Sequence, residues 1–254
     1  MGRVGVGGAT RGGGAELTGR FLTGVVDSRD GGLNRVMLTL AIDTSTSEGR
    51  IALMRGEEVF WEERFGADRS HSAALFPLIE RAVRDGGDDL ARVVVGVGPG
   101  SYAGIRVSIA AALGLAFTRG VELVGVVSLA ALRPISCEPY LAFGDARRGT
   151  WYWCLVCEGR CVDGPEVISD EEFRVRWDRA GDVPRISTRA EAGWSSEVVL
   201  APSASVLGMI AERGGAVVQR GALEPLYLRE PHITQPGRRA AVFGRFGTGP
   251  TDSR

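Results

Sequence analysis

A glycine turn is the segment of this sequence best suited to binding chemistry. Gly98-Pro99-Gly100-Ser101 follows a short apolar run rich in β-branched residues, Val93–Val97, and precedes a segment of helical composition. Ser101 is a residue type that caps helices, and the N–H groups and positive dipole end of a helix N-terminus suit an anion. The same turn is also an ordinary way to pass from strand to helix, so the turn alone leaves both an anion site and a purely geometric role open.

Two acidic, polar turns are the other candidates for chemistry. Asp43–Gly49 (DTSTSEG) lies between the strand-like runs LTLAI and RIALMR, and Asp145–Gly149 (DARRG) lies between YLAF and TWYWCLV. The order strand, acidic turn, strand therefore occurs twice, about 100 residues apart. This repetition predicts an internal duplication and two related half-domains.

The cysteines and histidines do not form a convincing metal site. Cys154 and Cys157 lie in a strand-like run, where positions three apart point to opposite faces. A second Cys-x-x-Cys pair is missing, so we expect buried or edge thiols at Cys137, Cys154, Cys157 and Cys161. His71 precedes an amphipathic segment and is expected to act as a capping or interface residue; His232 is the other histidine.

Composition excludes several classes of function. The formal net charge of −1 argues against a general nucleic-acid or membrane surface, and no apolar run approaches the roughly 18 residues of a membrane span. The sequence contains no lysine, which excludes a Schiff-base or Walker-type lysine within this chain. Without the apolar core of a signal peptide, we expect reduced thiols and a cytoplasmic protein.

The periodicity predicts how the chain is organised. Runs 38–42, 50–55 and 58–65 predict an antiparallel meander; a helix over 70–83, containing Pro77, follows it. We expect residues 163–200 to be irregular, 203–213 to be the only helix of the second half, and the EPLYLRE segment around Tyr227 to be a final strand or extended segment. Residues 1–36 are predicted to be a disordered extension, unless Met37 is the true start. The two half-domains are predicted at 37–133 and 134–231, and a mobile tail at 232–254.

Three short segments together resemble a known family. They are Ile42–Thr46 (IDTST), Gly98–Arg106 (GPGSYAGIR) and Pro225–Arg229 (PLYLR), with Asp145–Arg147 and Ser70–Ser72 between them. In this order they resemble the TsaB (YeaZ) family of bacterial tRNA threonylcarbamoyladenosine synthesis. Of these segments, Gly98–Arg106 is the one most specific to the family, because it combines glycines, a serine, an aromatic residue, an isoleucine and an arginine.

The resemblance covers roughly residues 37–229 and implies both a fold and a role. The fold is α/β and actin-like (ASKHA), with two ribonuclease-H-like half-domains whose mixed sheets are flanked by helices. The role is that of a non-catalytic subunit, which pairs with a TsaD-like catalytic subunit and is joined by a TsaE-like ATPase. This implies no cofactor in this chain, ATP or ADP and metal held by the partner subunits, and contact with tRNA through the complex. When the chain is alone, an exposed apolar surface could instead form a homodimer.

Helices of the first half are the expected partner interface. Between Ile105 and Phe117 only Arg106 and Ser108 carry polar side chains. A helix that is apolar nearly all round must be covered on more than one side. The alternative is that all these residues pack inside the chain. We expect Ile109→Asp to abolish pairing without unfolding the chain. The interface candidates are His71, Leu75, Leu78, Ile79, Tyr102, Ile105, Arg106 and Ile109.

A stand-alone actin-fold ATPase or small-molecule kinase is the main enzymatic alternative. Such folds hold phosphates between two acidic turns, but here Ala146 and Arg147 follow Asp145 where a close-approach glycine is needed. The catalytic relative has a His-x-x-x-His metal motif at the positions of Ser128 and Leu132, so we assign no catalytic residue and no metal ligand. A peptidase would need a nucleophile or metal that the sequence does not reveal. The nucleotide-like residues are Asp43, Thr44, Ser45, Gly98, Gly100, Ser101 and Asp145.

Overall fold

Two mixed β-sheets carry the site, and helices cover both faces of each sheet. The structure, a computed structural model, describes residues 36–66, 71–136, 138–189, 194 and 198–228, except the side chain of His71. Predictions for residues 1–35 and 229–254, and those for Cys137 and His232, lie outside the described residues. Within the described part, no helix is long and apolar enough to cross a bilayer.

The first sheet begins with the predicted antiparallel meander. Strands β1 (Leu38–Asp43), β2 (Glu48–Arg55) and β3 (Glu58–Gly66) pair in that order, with Asp43 opposite Arg50 at the end of the β1–β2 ladder. Helix α1 (His71–Gly86) then crosses to β4 (Leu90–Gly96), which pairs parallel with β1. The predicted meander is confirmed.

The rest of the first sheet comes from distant parts of the chain. Helix α2 (Tyr102–Arg119) leads to β5 (Glu122–Val126), which pairs parallel with β4, and a short 3₁₀ turn covers Ser128–Ala131. The far edge of the sheet is a strand from the end of the described chain, Val217–Arg220, antiparallel to β5. Residues assigned to the second half thus supply one strand of the first sheet.

The second sheet repeats the topology of the first. Strands β6 (Tyr140–Asp145), β7 (Thr150–Cys157) and β8 (Arg160–Ser169) form an antiparallel meander, followed by helix α3 (Asp170–Arg179). Strand β9 (Arg185–Ser187) pairs parallel with β6, as β4 does with β1, and the short β10 (Val198–Val199) pairs with β9. Helix α4 (Ala204–Arg213) follows β10 in the chain. The last strand is β11 (Val217–Arg220), the edge strand of the first sheet described above. The equivalent strand orders confirm the predicted α/β class and the duplication.

The prediction that residues 163–200 are irregular and hold no helix was wrong. Residues 163–200 contain the end of β8 and helix α3, whose N-cap Ser169 accepts a hydrogen bond from the Glu172 N–H. Only Phe173 of α3 is buried, so the helix has little apolar periodicity, and the capping residues were its only signal. Residues 224–228 form no strand; Leu226 N–H donates to the Val97 carbonyl at 2.8 Å instead.

The core has three parts, separated by the two sheets. Alternate residues of β6 face different parts: Ala142 contacts the core around α4, between the sheets, whereas Phe143 packs with Phe173 of α3. The third part lies under α1 and α2 on the outer face of the first sheet. Helices α1, α2 and α3 are therefore each covered by a sheet on one side, whereas α4 is buried between the two sheets.

Half of the predicted interface residues belong to this third part of the core. Leu75, Ile79, Ile105 and Ile109 are 0, 8, 3 and 5% exposed, so the prediction that they supply interface area was wrong. These residues lie on the sides of α1 and α2 that face the first sheet, where they pack with apolar side chains of β1, β4 and β5. Leu78 is half-buried on the same core.

Ile109→Asp is now expected to unfold the chain rather than to block pairing alone. The substitution places a carboxylate in an apolar core without a partner and should lower the free energy of unfolding by about 3 kcal/mol or more. Leu113→Asp, on the exposed side of the same helix, should change it by less than about 1 kcal/mol. Urea unfolding followed by circular dichroism measures both values. Equal stability of the two variants would contradict this assignment of the helix faces.

Candidate functional site

A cleft of about 740 Å³ lies where the two acidic turns meet the glycine turn. The turn after β1, the start of α2 and the turn after β6 all contribute to its walls. The structure thereby brings together four of the seven predicted nucleotide-like residues: Ser45, Gly100, Ser101 and Asp145. The lining residues are Ser45, Thr46, Ser47, Pro99, Gly100, Ser101, Asp145, Ala146, Arg147, Tyr152, Val167, Thr188, Arg189 and Leu228.

Asp43 and Thr44 lie behind the cleft and hold the first turn in shape. The Asp43 carboxylate is buried, and its Oδ1 accepts hydrogen bonds from the Ser45 N–H (2.8 Å) and the Ser45 hydroxyl (2.7 Å). Thr44 Oγ1 donates to the Gly104 carbonyl at 2.7 Å. Neither side chain lines the cleft, so both act by positioning Ser45 and its neighbours.

The glycines of the second motif allow two backbone segments to touch. A Cβ atom on Gly100 would lie 2.2 Å from the Ser45 carbonyl oxygen, and one on Gly104 would lie 2.0 Å from the Thr44 carbonyl oxygen. The Ser101 N–H donates to the Ser45 carbonyl at 2.6 Å across this contact. The geometric role that the sequence left open is therefore established for Gly100 and Gly104.

Two further predicted residues complete the start of α2. Gly98 has a φ of 104° and donates its N–H to Ser128 Oγ at 3.0 Å, behind the cleft. Ser101 caps α2 as predicted, since its hydroxyl oxygen accepts a hydrogen bond from the Gly104 N–H at 3.2 Å. The N-terminus of α2 is thereby fixed at the wall of the cleft.

Two arginines line the cleft beside Asp145: Arg147 of the second acidic turn and Arg189, which follows β9. Asp145 accepts a hydrogen bond from Arg189 Nη2 at 3.0 Å and from the Arg147 N–H at 2.6 Å, and Arg147 Nη1 lies 3.6 Å from its carboxylate. Arg189 was missed because it is 44 residues from Asp145 in sequence. Tyr152 and Thr188, whose hydroxyls are 3.0 Å apart, line the same wall and were also missed.

The described part of the chain contains no cluster of three or more His, Cys, Asp or Glu side chains suited to a metal ion. Cys154 in β7 is fully buried and Cys161 in β8 half-buried, as predicted for core or edge thiols. A hydrogen bond with Cys161, together with burial, raises the pKa of the Cys154 thiol. Cys157 in β7 is half-buried as well.

The outer side of α2 is an exposed, mostly apolar surface. Its residues recur at helical spacing, and we call them the α2 face: Tyr102, Arg106, Ala110, Leu113 and Phe117. Leu113 is 44% exposed and Phe117 is 93% exposed. Of the predicted interface residues, Tyr102 and Arg106 lie on this face, and the side chain of His71 lies outside the described residues.

The α2 face meets the cleft at an aromatic stack. The rings of Tyr102 and Tyr227 stack with centroids 5.5 Å apart, and Arg106 Nη1 donates to the Tyr102 hydroxyl at 2.6 Å. Desolvation and a hydrogen bond with Tyr102 raise the pKa of the Tyr227 hydroxyl. The neighbours of this pair, Ser101 and Leu228, line the cleft. Cleft and α2 face are therefore adjoining parts of one surface.

Comparison with known proteins shows that this chain is similar to proteins that take part in tRNA modification. Residues 65–171 match the family described as TsaD, tRNA N6-adenosine threonylcarbamoyltransferase. An uncharacterised protein of Mycobacterium tuberculosis is 33% identical over 213 residues, which are 78% of this chain and 96% of that protein. The tRNA threonylcarbamoyladenosine biosynthesis protein TsaB of Haemophilus influenzae is 35% identical over 148 residues, which are 52% of this chain and 62% of that protein.

A solved structure resembles the whole described fold. It is a protein of Pseudomonas aeruginosa with similarity to the peptidase YeaZ, 25% identical to this chain, with a TM-score of 0.61. The match covers 76% of this chain and 100% of that one. The predicted actin-like fold with mixed sheets flanked by helices is confirmed.

Two glycines of α2 allow a test of the backbone contact behind the cleft. Gly104→Ala should destabilise the fold by about 2 kcal/mol or more, because its Cβ would overlap the Thr44 carbonyl. Gly114→Ala is the matched control, since no atom lies within 4 Å of its Cβ position. There the better helix propensity of alanine should stabilise the chain by about 0.5–1 kcal/mol. Urea unfolding of both variants measures the difference; similar shifts in the same direction would contradict the close contact.

Proposed function

Because the chain belongs to the TsaB (YeaZ) family, we propose that it is the non-catalytic subunit of a tRNA threonylcarbamoylation complex and docks a TsaD-like catalytic subunit through the α2 face. Relatives are named as tRNA threonylcarbamoyladenosine biosynthesis proteins, and this chain takes part in the same pathway. The observation that carries the proposal is the exposed apolar side of α2. Its opposite side is already covered by the first sheet.

The α2 face has the composition of a docking surface. Tyr102 and Phe117 offer aromatic area, whereas Ala110 and the adjacent Gly114 are small and allow a partner helix to approach closely. Burying the exposed apolar surface of Leu113 and Phe117 against a partner would stabilise the complex by about 25 cal/mol for each Å² removed from water. Helix α1, which packs beside α2, exposes Phe76 (53%) and enlarges the available apolar area.

The chemistry of the cleft supports a non-catalytic role. Among the described residues that line it, Asp145 is the one acid, and two guanidinium groups engage it, so it is poorly placed to hold Mg²⁺ for phosphoryl transfer. Ser128 and Leu132, at the positions of the metal-binding histidines of the catalytic relative, are 0 and 4% exposed. Their packing in the core leaves no site for two imidazole ligands, and this favours the docking role over a stand-alone ATPase, kinase or peptidase.

The remaining members of the complex follow from the same proposal. A TsaE-like ATPase would join the pair, and tRNA would contact this chain through the complex. ATP or ADP and the metal ion would be held by the partner subunits. In the absence of the TsaD-like subunit, the α2 face would pair with a second copy of this chain, because an exposed apolar patch gains from self-association.

Leu113→Asp should abolish pairing with the TsaD-like subunit of the same organism. The substitution introduces a charge at the centre of the α2 face and should weaken binding by about tenfold or more. Val175→Asp on α3 is the matched control, since Val175 is 45% exposed and Leu113 is 44% exposed. Co-purification and isothermal titration measure pairing, and circular dichroism confirms folding. A folded Leu113→Asp variant that pairs like the control would refute the interface.

The purified chain alone should not modify tRNA. Supplied with threonylcarbamoyl-adenylate and unmodified tRNA, it should form no threonylcarbamoyladenosine until the TsaD-like subunit is added. Mass spectrometry of the digested tRNA measures the product, and metal analysis of the purified chain should find no stoichiometric ion. Modification without the second subunit would rule out the non-catalytic role.

A further inference from the structure

Two cysteine side chains lie on the same face of the β7–β8 hairpin. Cys161 of β8 pairs with Val156 of β7, and Cys154 precedes Val156 by two residues, so the two cysteines are diagonal neighbours on one face. Both pack on the core around α4. Cys154 is fully buried in that core, and Cys161 is half-buried against it. Neither cysteine lines the cleft or belongs to the α2 face.

The pairing of the hairpin is irregular where these side chains meet. Diagonal neighbours in a regular antiparallel ladder are about 7–8 Å apart, which is long for two cysteines. The register of β7 with β8 shifts on both sides of Leu155, and such irregularities bend a strand and increase its twist. The Cys154 thiol donates a hydrogen bond to the Cys161 sulfur. The two sulfur atoms that a disulfide would join are therefore in contact.

The two thiols differ in the way that stepwise oxidation requires. The hydrogen bond from Cys154 lowers the pKa of the Cys161 thiol, whereas the same hydrogen bond and burial raise the pKa of the Cys154 thiol. Cys161 therefore ionises first, and the thiolate is the form that attacks an oxidant. Its neighbours Arg160 and Val162 are exposed, and β8 is an edge strand of the second sheet as the described residues form it. A small oxidant can therefore reach the Cys161 sulfur.

Cys157 is poorly placed to react with Cys154. It follows Cys154 by three residues in the same strand, so their side chains point to opposite faces of the sheet. Cys157 pairs with Arg160 across the hairpin and is not part of the core around α4. The geometry of the hairpin thus selects one pair, Cys154 with Cys161.

We propose that Cys154 and Cys161 form a reversible dithiol–disulfide site that hydrogen peroxide oxidises. The Cys161 thiolate attacks the peroxide, the O–O bond breaks, hydroxide leaves, and Cys161 becomes a sulfenic acid. The Cys154 sulfur then attacks the Cys161 sulfur, and the S–S bond forms as the hydroxyl group leaves with the Cys154 proton as water. The two sulfur atoms lose two electrons in total, and the peroxide takes them up to give water. A dithiol reductant returns two electrons and two protons and restores both thiols.

Peroxide treatment of the full, reduced chain tests the proposal, because trypsin cuts between Arg160 and Cys161. Unreacted thiols are blocked with N-ethylmaleimide before digestion. Mass spectrometry should find residues 149–160 and 161–174 as one linked species, lighter than the two peptides together by two hydrogen atoms, and dithiothreitol should separate them. Non-reducing electrophoresis should show a monomer. If no linked species forms, if Cys161 is found only as a sulfinic acid, or if the link joins two chains, the proposal is wrong.

Single substitutions distinguish Cys154 from Cys157, since both lie in the peptide 149–160. Cys154→Ala and Cys161→Ser should each abolish the linked species. Cys157→Ser is the matched control and should change its yield by less than about twofold, because Cys157 is on the other face of β7. A thermal melt checks that the variants are folded, and fragmentation of the linked species from the unsubstituted chain identifies the bonded cysteines directly. A link that is lost in Cys157→Ser, or that fragmentation assigns to Cys157, would overturn the proposal.

Discussion

The contact between the turn after β1 and the start of α2 is the constraint on which both the cleft and the α2 face depend. Thr44 and Ser45 touch the backbone of Gly100 and Gly104 so closely that no Cβ fits between the segments. Two hydrogen bonds, from Thr44 Oγ1 and from the Ser101 N–H, cross the contact. Because this fixes the first turn of α2, it also fixes which side of the helix faces the sheet and which side faces solvent.

A second interaction holds helix α4 against the first of the two sheets. Helix α4 lies between them, and the carboxylate of Glu62 on β3 accepts hydrogen bonds from the Ala204 N–H at 2.9 Å and the Ser203 hydroxyl at 3.1 Å. An acidic side chain at a helix N-terminus is favourable for both the dipole and the unsatisfied N–H groups. Small residues such as Ala41 and Ala142 face α4 from the two sheets and allow this close approach. Helix α4 is therefore held by hydrogen bonds at its N-terminus and by apolar packing against both sheets.

The chemistry of the surface divides along α2. At its N-terminus, donors and guanidinium groups line a polar cleft; along its outer side, Leu113 and Phe117 form an apolar stripe. The two surfaces meet at Tyr102 and Tyr227. Among the described residues that line the cleft, Asp145 is the one acid, whereas α2 exposes apolar side chains along its outer side. The apolar side of α2 is the basis of the proposed docking role.

The sequence by itself determined the elements whose signals are local. The strand-like runs of β1 and β2, the repeated acidic turns and the capped glycine turn specified two related α/β halves, and the motifs identified the family. Only the tertiary structure decided which side of α2 is covered, that Arg189 joins Asp145, and that α3 forms around a single buried Phe173. The spacing of apolar residues along the chain indicates a helix or a strand, but it does not show which distant segment covers each side of it. In a helix that is apolar nearly all round, buried Ile109 and exposed Leu113 look alike until the sheet is in place.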